Sequence, residues 1–398
     1  MRRILEAQQR SSQFAPARTL RAKADLDTAI AGYRKAAQRA PQDPASRLIL
    51  ANALLARGLF DAAVIQYQEV VQFDPLNPEA QTLLGDAYAE MGRFDQAISA
   101  YHAALRLEAS NGVARNNLGL ALWHQGSADE AFDQWRAAVQ AAPLYAYAHT
   151  NYGTALYHRG DMDGAVAEWR TAIDLEPTLS IARHNLASVY QEQGNKEAAL
   201  ALYWEALLFD PDDVTAHTNI GISFQSEGRL DEAIACWEHA LKIDPKQAEP
   251  HQLLGAALYV KGLADLAFNE MHEALRLAPD DPWANFNFGV MLSNEGQTAA
   301  ALACWQKAVL ADPEFAQAHF NLANAQYKMQ RYDAALAAWR STIKLNASHG
   351  WAHFNLGYAL RKRGQLEAGQ FMIREALRID PKLAGRTFPM LDALNDAQ

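Results

Sequence analysis

The sequence predicts an all-α protein built as a stack of helical hairpins, and three observations predict it. The chain repeats at one fixed period over most of its 398 residues. Small residues recur at fixed slots of that period. Alanine and leucine dominate while β-branched runs are scarce, a balance that favours helix over strand. Half of the residues are hydrophobic, enough for a large core.

Set in rows of 34, the chain gives ten full rows starting at residues 44, 78, 112, 146, 180, 214, 248, 282, 316 and 350, with no insertion or deletion. A period of this length is the signature of a stacked repeat. Slot eight is always small, from Ala51, Gly85 and Gly119 to Gly357, and so is slot twenty, from Ala63 and Ala97 to Gly369. These positions predict the close approach of two helices, where a larger side chain would overpack the contact. Slot fifteen is glycine in every row except the ninth, which has Gln330. A glycine there suits the left-handed residue that ends a helix. Proline at slot thirty-two, in eight of ten rows, ends the second helix because it cannot continue one. Acidic residues follow the slot-fifteen glycine (Asp61, Asp95, Asp129, Asp163, Asp231) and favour a helix start. Large residues at slot twenty-four, such as Tyr67, Trp135, Trp169, Trp237, Trp305 and Trp339, read as core knobs.

The spacing of a large residue, Leu-Gly, aromatic, Ala, aromatic and Pro at this period resembles the tetratricopeptide repeat, in rows such as HTNIGISFQSEGRLDEAIACWEHALKIDP. The resemblance covers ten units over residues 44–383. Upstream, residues 1–43 read as a degenerate N-terminal unit and cap. Ala29, Tyr33, Ala36 and Pro41 hold its second-helix slots, and its first helix is expected at roughly 5–22. Residues 384–398 read as a C-terminal cap or a tail. One unit cannot bury its own apolar face, so neighbours share a continuous core. The resemblance implies a right-handed superhelix, an α-solenoid with first helices lining the concave face. It also implies a scaffold or assembly factor that binds an extended peptide or a partner helix there.

On the first helix, slots two, five, six, nine, twelve and thirteen are expected to face the groove. Slot six carries Asn117, Asn151, Asn185, Asn219, Asn287, Asn321 and Asn355. Asparagine is a mediocre helix former, so its recurrence asks for a reason. Its amide donates and accepts, and can pair with the backbone of an extended peptide. The column resembles the asparagine ladder in the repeat domain of O-linked N-acetylglucosamine transferases. The alternative is that asparagine serves packing at this slot. At about one helix diameter per unit, roughly 10 Å, Asn117 to Asn355 would span roughly 70 Å. About 20 extended residues would cover that path. The C-terminal rows add aromatic residues: Trp283 and Trp351 at slot two, Phe286 and Phe354 at slot five with Phe320, Tyr327 at slot twelve, and Tyr358 at slot nine. These read either as a binding stripe or as rings packed between adjacent first helices.

Other chemistry is weakly supported. The formal charge of −10 repels nucleic acid and anionic membrane. No stretch approaches the length of a membrane span, so a cytoplasmic location and no membrane insertion are expected. Slot five never carries lysine in the first five rows, against a clamp for a partner's C-terminal carboxylate. The slot-four histidines (His149, His217, His251, His319, His353) lie a helix diameter apart, too far to share an ion, and are expected to be structural. His124, His158 and His184 could approach one another. Cys236 and Cys304 are too few for a disulfide framework. No nucleotide loop, nucleophile elbow or zinc-protease motif occurs. No enzyme, metal or cofactor is therefore expected. Two alternatives to the scaffold remain: a non-catalytic regulatory or targeting subunit of an enzyme such as a glycosyltransferase, and self-association through the solenoid ends.

Overall fold

A computed structural model of the chain describes residues 20–384, with side chains from residue 26. The described residues form 21 α-helices, one 3-10 turn and no strand. The chain divides into two compact units, Met1–Ala216 and His217–Gln398. In the first unit, α1 (Leu20–Arg39) precedes the hairpins α2 (Pro44–Ala56) with α3 (Phe60–Phe73), α4 (Pro78–Glu90) with α5 (Phe94–Leu107), α6 (Gly112–Gln125) with α7 (Ala128–Ala141), α8 (Ala146–His158) with α9 (Met162–Leu175), and α10 (Ser180–Glu192) with α11 (Lys196–Phe209). The helix α12 (Val214–Ser226) lies mainly in the second unit. It is followed by α13 (Leu230–Ile243) and the hairpins α14 (Ala248–Val260) with α15 (Ala264–Leu277), α16 (Pro282–Asn294) with α17 (Thr298–Ala311), α18 (Ala316–Lys328) with α19 (Tyr332–Leu345), and α20 (Gly350–Lys362) with α21 (Leu366–Ile379). The fold is thus a solenoid of antiparallel helix pairs, and each first helix starts at slot one of its row.

The turns follow from the slots. Glycine at slot fifteen takes positive φ, from +68° at Gly92 to +91° at Gly126, and Gln330 occupies the same region at +61°. Glycine at slot eight lies under the slot-twenty-four ring. A Cβ on Gly119, Gly221 or Gly289 would sit 2.5–2.6 Å from Nε1 of Trp135, Trp237 or Trp305. In each case that Nε1 donates to the slot-five carbonyl of the same hairpin: Trp135 to Asn116 (3.1 Å), Trp237 to Thr218 (3.0 Å) and Trp305 to Phe286 (3.2 Å). Where slot eight is Ala323 the ring of Trp339 donates instead to Asn324 Oδ1, 3.1 Å away at slot nine. One methyl group thus redirects the indole.

Two further devices tie each repeat to the next. The slot-four side chain reaches the slot-thirty-two carbonyl six residues earlier: His149 to Pro143 (2.9 Å), His251 to Pro245 (3.0 Å), His319 to Pro313 (3.0 Å), Asn285 to Pro279 (2.9 Å) and Arg115 to Ala109 (2.8 Å). The second device is an ion pair from slot eighteen to the following repeat, as in Arg159–Asp129 (2.5 Å), Lys261–Asp231 and Arg363–Asp333. These pairs are exposed, and each contributes no more than about 1 kcal/mol. Successive first helices also touch directly (α4 on α6, α6 on α8, α8 on α10, and α14 on α16), more closely than successive second helices do. In the first unit, the first helices thus lie closer to one another than the second helices do.

At the N-terminus the helix runs unbroken from Leu20 to Arg39, so the expected break near residue 22 is corrected. Slot fifteen of that row is Ala24, and no glycine stops the helix. The rest of the expected first helix, and residues 385–398 of the expected cap, lie outside the described residues. Leu383 ends the described fold, buried beside Gly350 at the start of α20.

Candidate functional site

The seven slot-six asparagines divide by whether the preceding repeat supplies a side-chain acceptor, at slot nine in most cases and at slot five, past the apolar Leu120, for Asn151. In the first unit, Asn117 donates to Asp86 Oδ1 (2.8 Å) and Asn185 to Thr154 Oγ1 (3.1 Å). In the second, Asn355 donates to Asn324 Oδ1 (3.0 Å). Asp86, Thr154 and Asn324 all hold slot nine. Asn151 is paired too, donating to Asn116 Oδ1 at 2.8 Å. All four of these asparagines are buried, Asn185 to 1% exposure. They hold adjacent first helices together, as the packing alternative has it, which corrects the reading of these four as open peptide-binding amides. Asn287 and Asn321 are different. The slot-nine residues before them are Ala256 and Val290, which have no polar side-chain atom. Both asparagines are half-buried, and neither amide has a partner among the described residues. Asn219 is half-buried and engaged.

The pairing in the first unit is directional. Asn151 donates to Asn116, which donates to Asn117 Oδ1 (3.0 Å), which donates to Asp86 Oδ1. Tyr101 Oη donates to the same Asp86 oxygen at 2.7 Å. Burial pushes the Asp86 carboxyl up to about 6, against the two donors that pull it down. Asn116 and Asp86 escaped the slot-six pattern because they stand at slots five and nine.

The aromatic residues divide in the same way. Tyr327 and Phe354 are buried, which corrects their assignment to an open stripe. Tyr327 packs on Trp339 (centroids 5.5 Å) and Tyr332 (5.1 Å), and burial raises its hydroxyl to about 12. Phe286, Phe320 and Tyr358 are half-buried. Trp283 is 56% exposed and Trp351 is 37% exposed. Trp283 stands against Phe315 (4.5 Å), which also meets Phe286 (4.9 Å). Phe315 caps this cluster from slot thirty-four, a position outside the inner-face slots. Trp351 packs edge-on to Phe354 at 5.9 Å. The second unit therefore presents two exposed indoles seated on buried rings, with the unpaired Asn287 and Asn321 on the first helices α16 and α18.

Next to Asn321 lies a cavity of about 210 Å³, lined by Val290, Ser293, Asn294, Thr298, Trp305, Asn324, Ala325 and Lys328. The histidines do other work. Both ring nitrogens of His149 face acceptors, Glu168 at 2.6 Å and the Pro143 carbonyl, and the Glu168 hydrogen bond raises its pKa. His124 stacks on Phe94, His158 lies tilted against Trp123, and His184 lies 3.1 Å from Asp213. The three are not brought together, and no cluster of His, Cys, Asp and Glu among the described residues could hold a metal ion. Both cysteine thiols are pushed up by burial, which disfavours the nucleophilic thiolate. No described helix is long and apolar enough to cross a membrane.

Tetratricopeptide-repeat family models match residues 82–143 and 321–383, residues 51–92, 153–194, 223–262 and 291–330, and residues 181–209. No curated protein matches the chain. Among solved structures, the APC/C hetero-tetramer Cut9-Hcn1 aligns at 15% identity over 93% of each chain, with a TM-score of 0.53. Yeast Tom70 aligns at 15% identity over 94% of this chain and 91% of its own, with a TM-score of 0.47. MamA aligns at 26% identity over 42% of this chain and 97% of its own, with a TM-score of 0.36. The first of these shares the fold.

Proposed function

Because the chain belongs to the tetratricopeptide-repeat family, we propose that it is a protein-interaction scaffold whose second unit grips an extended peptide along its first helices. The observation that carries this reading is the pair of unpaired, half-buried amides at Asn287 and Asn321, beside the exposed ring of Trp283. A half-buried amide without a partner forgoes hydrogen bonds that water supplies incompletely, and a peptide backbone offers both a donor and an acceptor. An indole on a rigid aromatic base provides a large apolar contact at little entropic cost. Asn117, Asn151, Asn185 and Asn355 act in this reading as the cement of the frame. The scaffold performs no catalysis and works in the cytoplasm.

A photo-crosslinking amino acid at position 283 tests this. It should capture linear segments of partner proteins from the native host, and the same group at the outward-facing Leu310 should not. Capture from position 310 alone would reject the inner-face reading. The double variant Asn287→Ala/Asn321→Ala, folded by circular dichroism, should lose most of the capture from position 283.

A further inference from the structure

We propose that the chain associates with a second copy of itself through the exposed sides of its second helices, an acid-flanked apolar stripe on α11 of one copy meeting a basic patch on α19 and α21 of the other. This goes beyond the peptide reading and does not depend on it. Two departures from the repeat pattern carry the proposal, and each supplies what the other lacks.

The first is on α11. Slots twenty-five and twenty-nine stand one turn apart on the exposed side of each second helix. Leu310 excepted, the other nine rows fill both slots with polar or charged residues. The fifth row alone has large apolar residues at both, Trp204 and Leu208, 47% and 80% exposed. Side chains four apart on a helix are neighbours, so the indole and the leucine form one apolar surface, and exposed Ala201 extends it by a turn. The flanks are acidic. Glu197 and Glu205 are exposed on the same helix, and Asp174 is exposed at slot twenty-nine of α9. The fifth row, 180–213, holds six Asp and Glu against two Lys and Arg.

The second is on α19 and α21. Residues 78–315 hold 33 Asp and Glu against 14 Lys and Arg, and the last two rows, 316–383, reverse this with four against ten. Slots twenty-five and twenty-nine carry Arg340 and Lys344 on α19 and Arg374 and Arg378 on α21, all exposed. The helix α20 packs against both α19 and α21, so the two pairs of cations stand on neighbouring helices. Arg378 pairs with Glu375 of its own helix at 2.9 Å. Arg340, Lys344 and Arg374 have no ion-pair partner among the described residues. Phe371, 57% exposed and one turn before Arg374, gives the patch an apolar anchor.

A second copy answers both patches at once. Glu197, Glu205 and Asp174 meet unpaired cations, while Trp204 and Leu208 leave water against Phe371 and the alkyl stems of Lys344 and Arg374. A nucleic acid or an anionic bilayer extends past two helices, to where the acidic rows repel it. The anchors are few and cover less than a standard interface of about 1,600 Å², so the contact is transient and sensitive to concentration and salt. It is also heterologous: each copy keeps one patch open for a further copy.

Sedimentation velocity on the full chain tests this. The average mass of the parent should rise with concentration at about 0.1 M salt, where the Debye length is about 10 Å, and fall back at about 1 M, where it is about 3 Å. The variants Trp204→Ala/Leu208→Gln and Arg340→Glu/Arg374→Glu replace exposed side chains, so both should melt close to the parent. Each alone should associate about tenfold or more weakly than the parent. Mixed, the two variants keep one intact patch apiece and should form a one-to-one pair that grows no further. A parent that stays monomeric at about 0.1 mM would overturn the proposal. So would variants that assemble as the parent does, or a mixture that forms no pair. A monomeric parent that instead binds phosphatidylserine vesicles, with the binding lost in Arg340→Glu/Arg374→Glu, would assign the basic patch to an anionic surface and overturn self-association.

Discussion

Replacing Asn355 and Asn321 by alanine, one at a time, should separate frame from site. Asn355 is 6% exposed and donates to Asn324 Oδ1 at 3.0 Å, where Trp339 Nε1 also donates. Removing it deletes one buried hydrogen bond, leaves Asn324 with one donor and opens a small void between α18 and α20. A net hydrogen bond contributes about 1 kcal/mol, and the void adds some fraction of that, so Asn355→Ala should cost about 1–2 kcal/mol. Asn321 stands at the same slot one repeat earlier, but it is half-buried and makes no internal bond. Its replacement should stay within about 0.5 kcal/mol. Repeat arrays unfold in parts, so a single melting temperature would blur the difference. Hydrogen exchange of the backbone amides in α18 and α20, followed by mass spectrometry, reports local opening. Exchange in these helices should speed up roughly 5- to 30-fold in Asn355→Ala and scarcely change in Asn321→Ala. Equal acceleration in the two variants would refute the division of the column.

Further outcomes follow from other contacts. Gln330 sits at φ +61° where nine other rows have glycine, so Gln330→Gly should stabilise its hairpin by about 0.5–1 kcal/mol in urea unfolding, the left-handed strain relieved less the added unfolded-state entropy. Gly289→Ala would put a methyl 2.6 Å from Trp305 Nε1 and should cost about 1–3 kcal/mol, read from the shift in tryptophan emission on denaturation. The Asp86 carboxyl should titrate near 6 by carbon-13 NMR, and higher in Asn117→Ala, which removes a donor that holds its value down. Because its folded pKa lies above the unfolded one, ionising it opposes folding, and this part of the stability is lost as pH rises from about 4 through 6. The pKa of His149 is raised by its Glu168 hydrogen bond. Its contribution is complete below the unfolded histidine value and fades as pH rises through the folded one. His149→Gln should flatten that part of the pH–stability curve.

The repeat frame was legible because each of its constraints acts within 34 residues. Gly119 and Trp135 face each other inside one hairpin, and their slots announce it. The asparagine column was only half legible, because its chemistry depends on a pair 31 residues apart. Asn185 and Asn321 share a slot and a residue type, yet one meets Thr154 and the other Val290. Reading slot six together with slot nine of the preceding row would have separated them. Phe354 and Tyr327 looked like stripe residues because an aromatic side chain on an inner face can turn either to solvent or to the neighbouring helix. The period also runs unbroken past residue 216, so the division into two compact units left no mark in the rows.

The most direct test of the central claim, that a slot-six asparagine is open for a peptide where the preceding repeat supplies it no acceptor, is the single replacement Val290→Thr. The side chain keeps its shape and gains a hydroxyl placed as in Thr154, whose Oγ1 donates to the Thr150 carbonyl at 2.9 Å and accepts from Asn185 at 3.1 Å. The equivalent carbonyl of Phe286 already receives Trp305 Nε1, as that of Thr150 receives Trp169 Nε1. The new hydroxyl should bind the amide of Asn321, slow hydrogen exchange in α18 and weaken peptide binding to the second unit about as much as Asn321→Ala does. Peptide binding at parental strength, with the amide of Asn321 tied to Thr at position 290, would contradict the account.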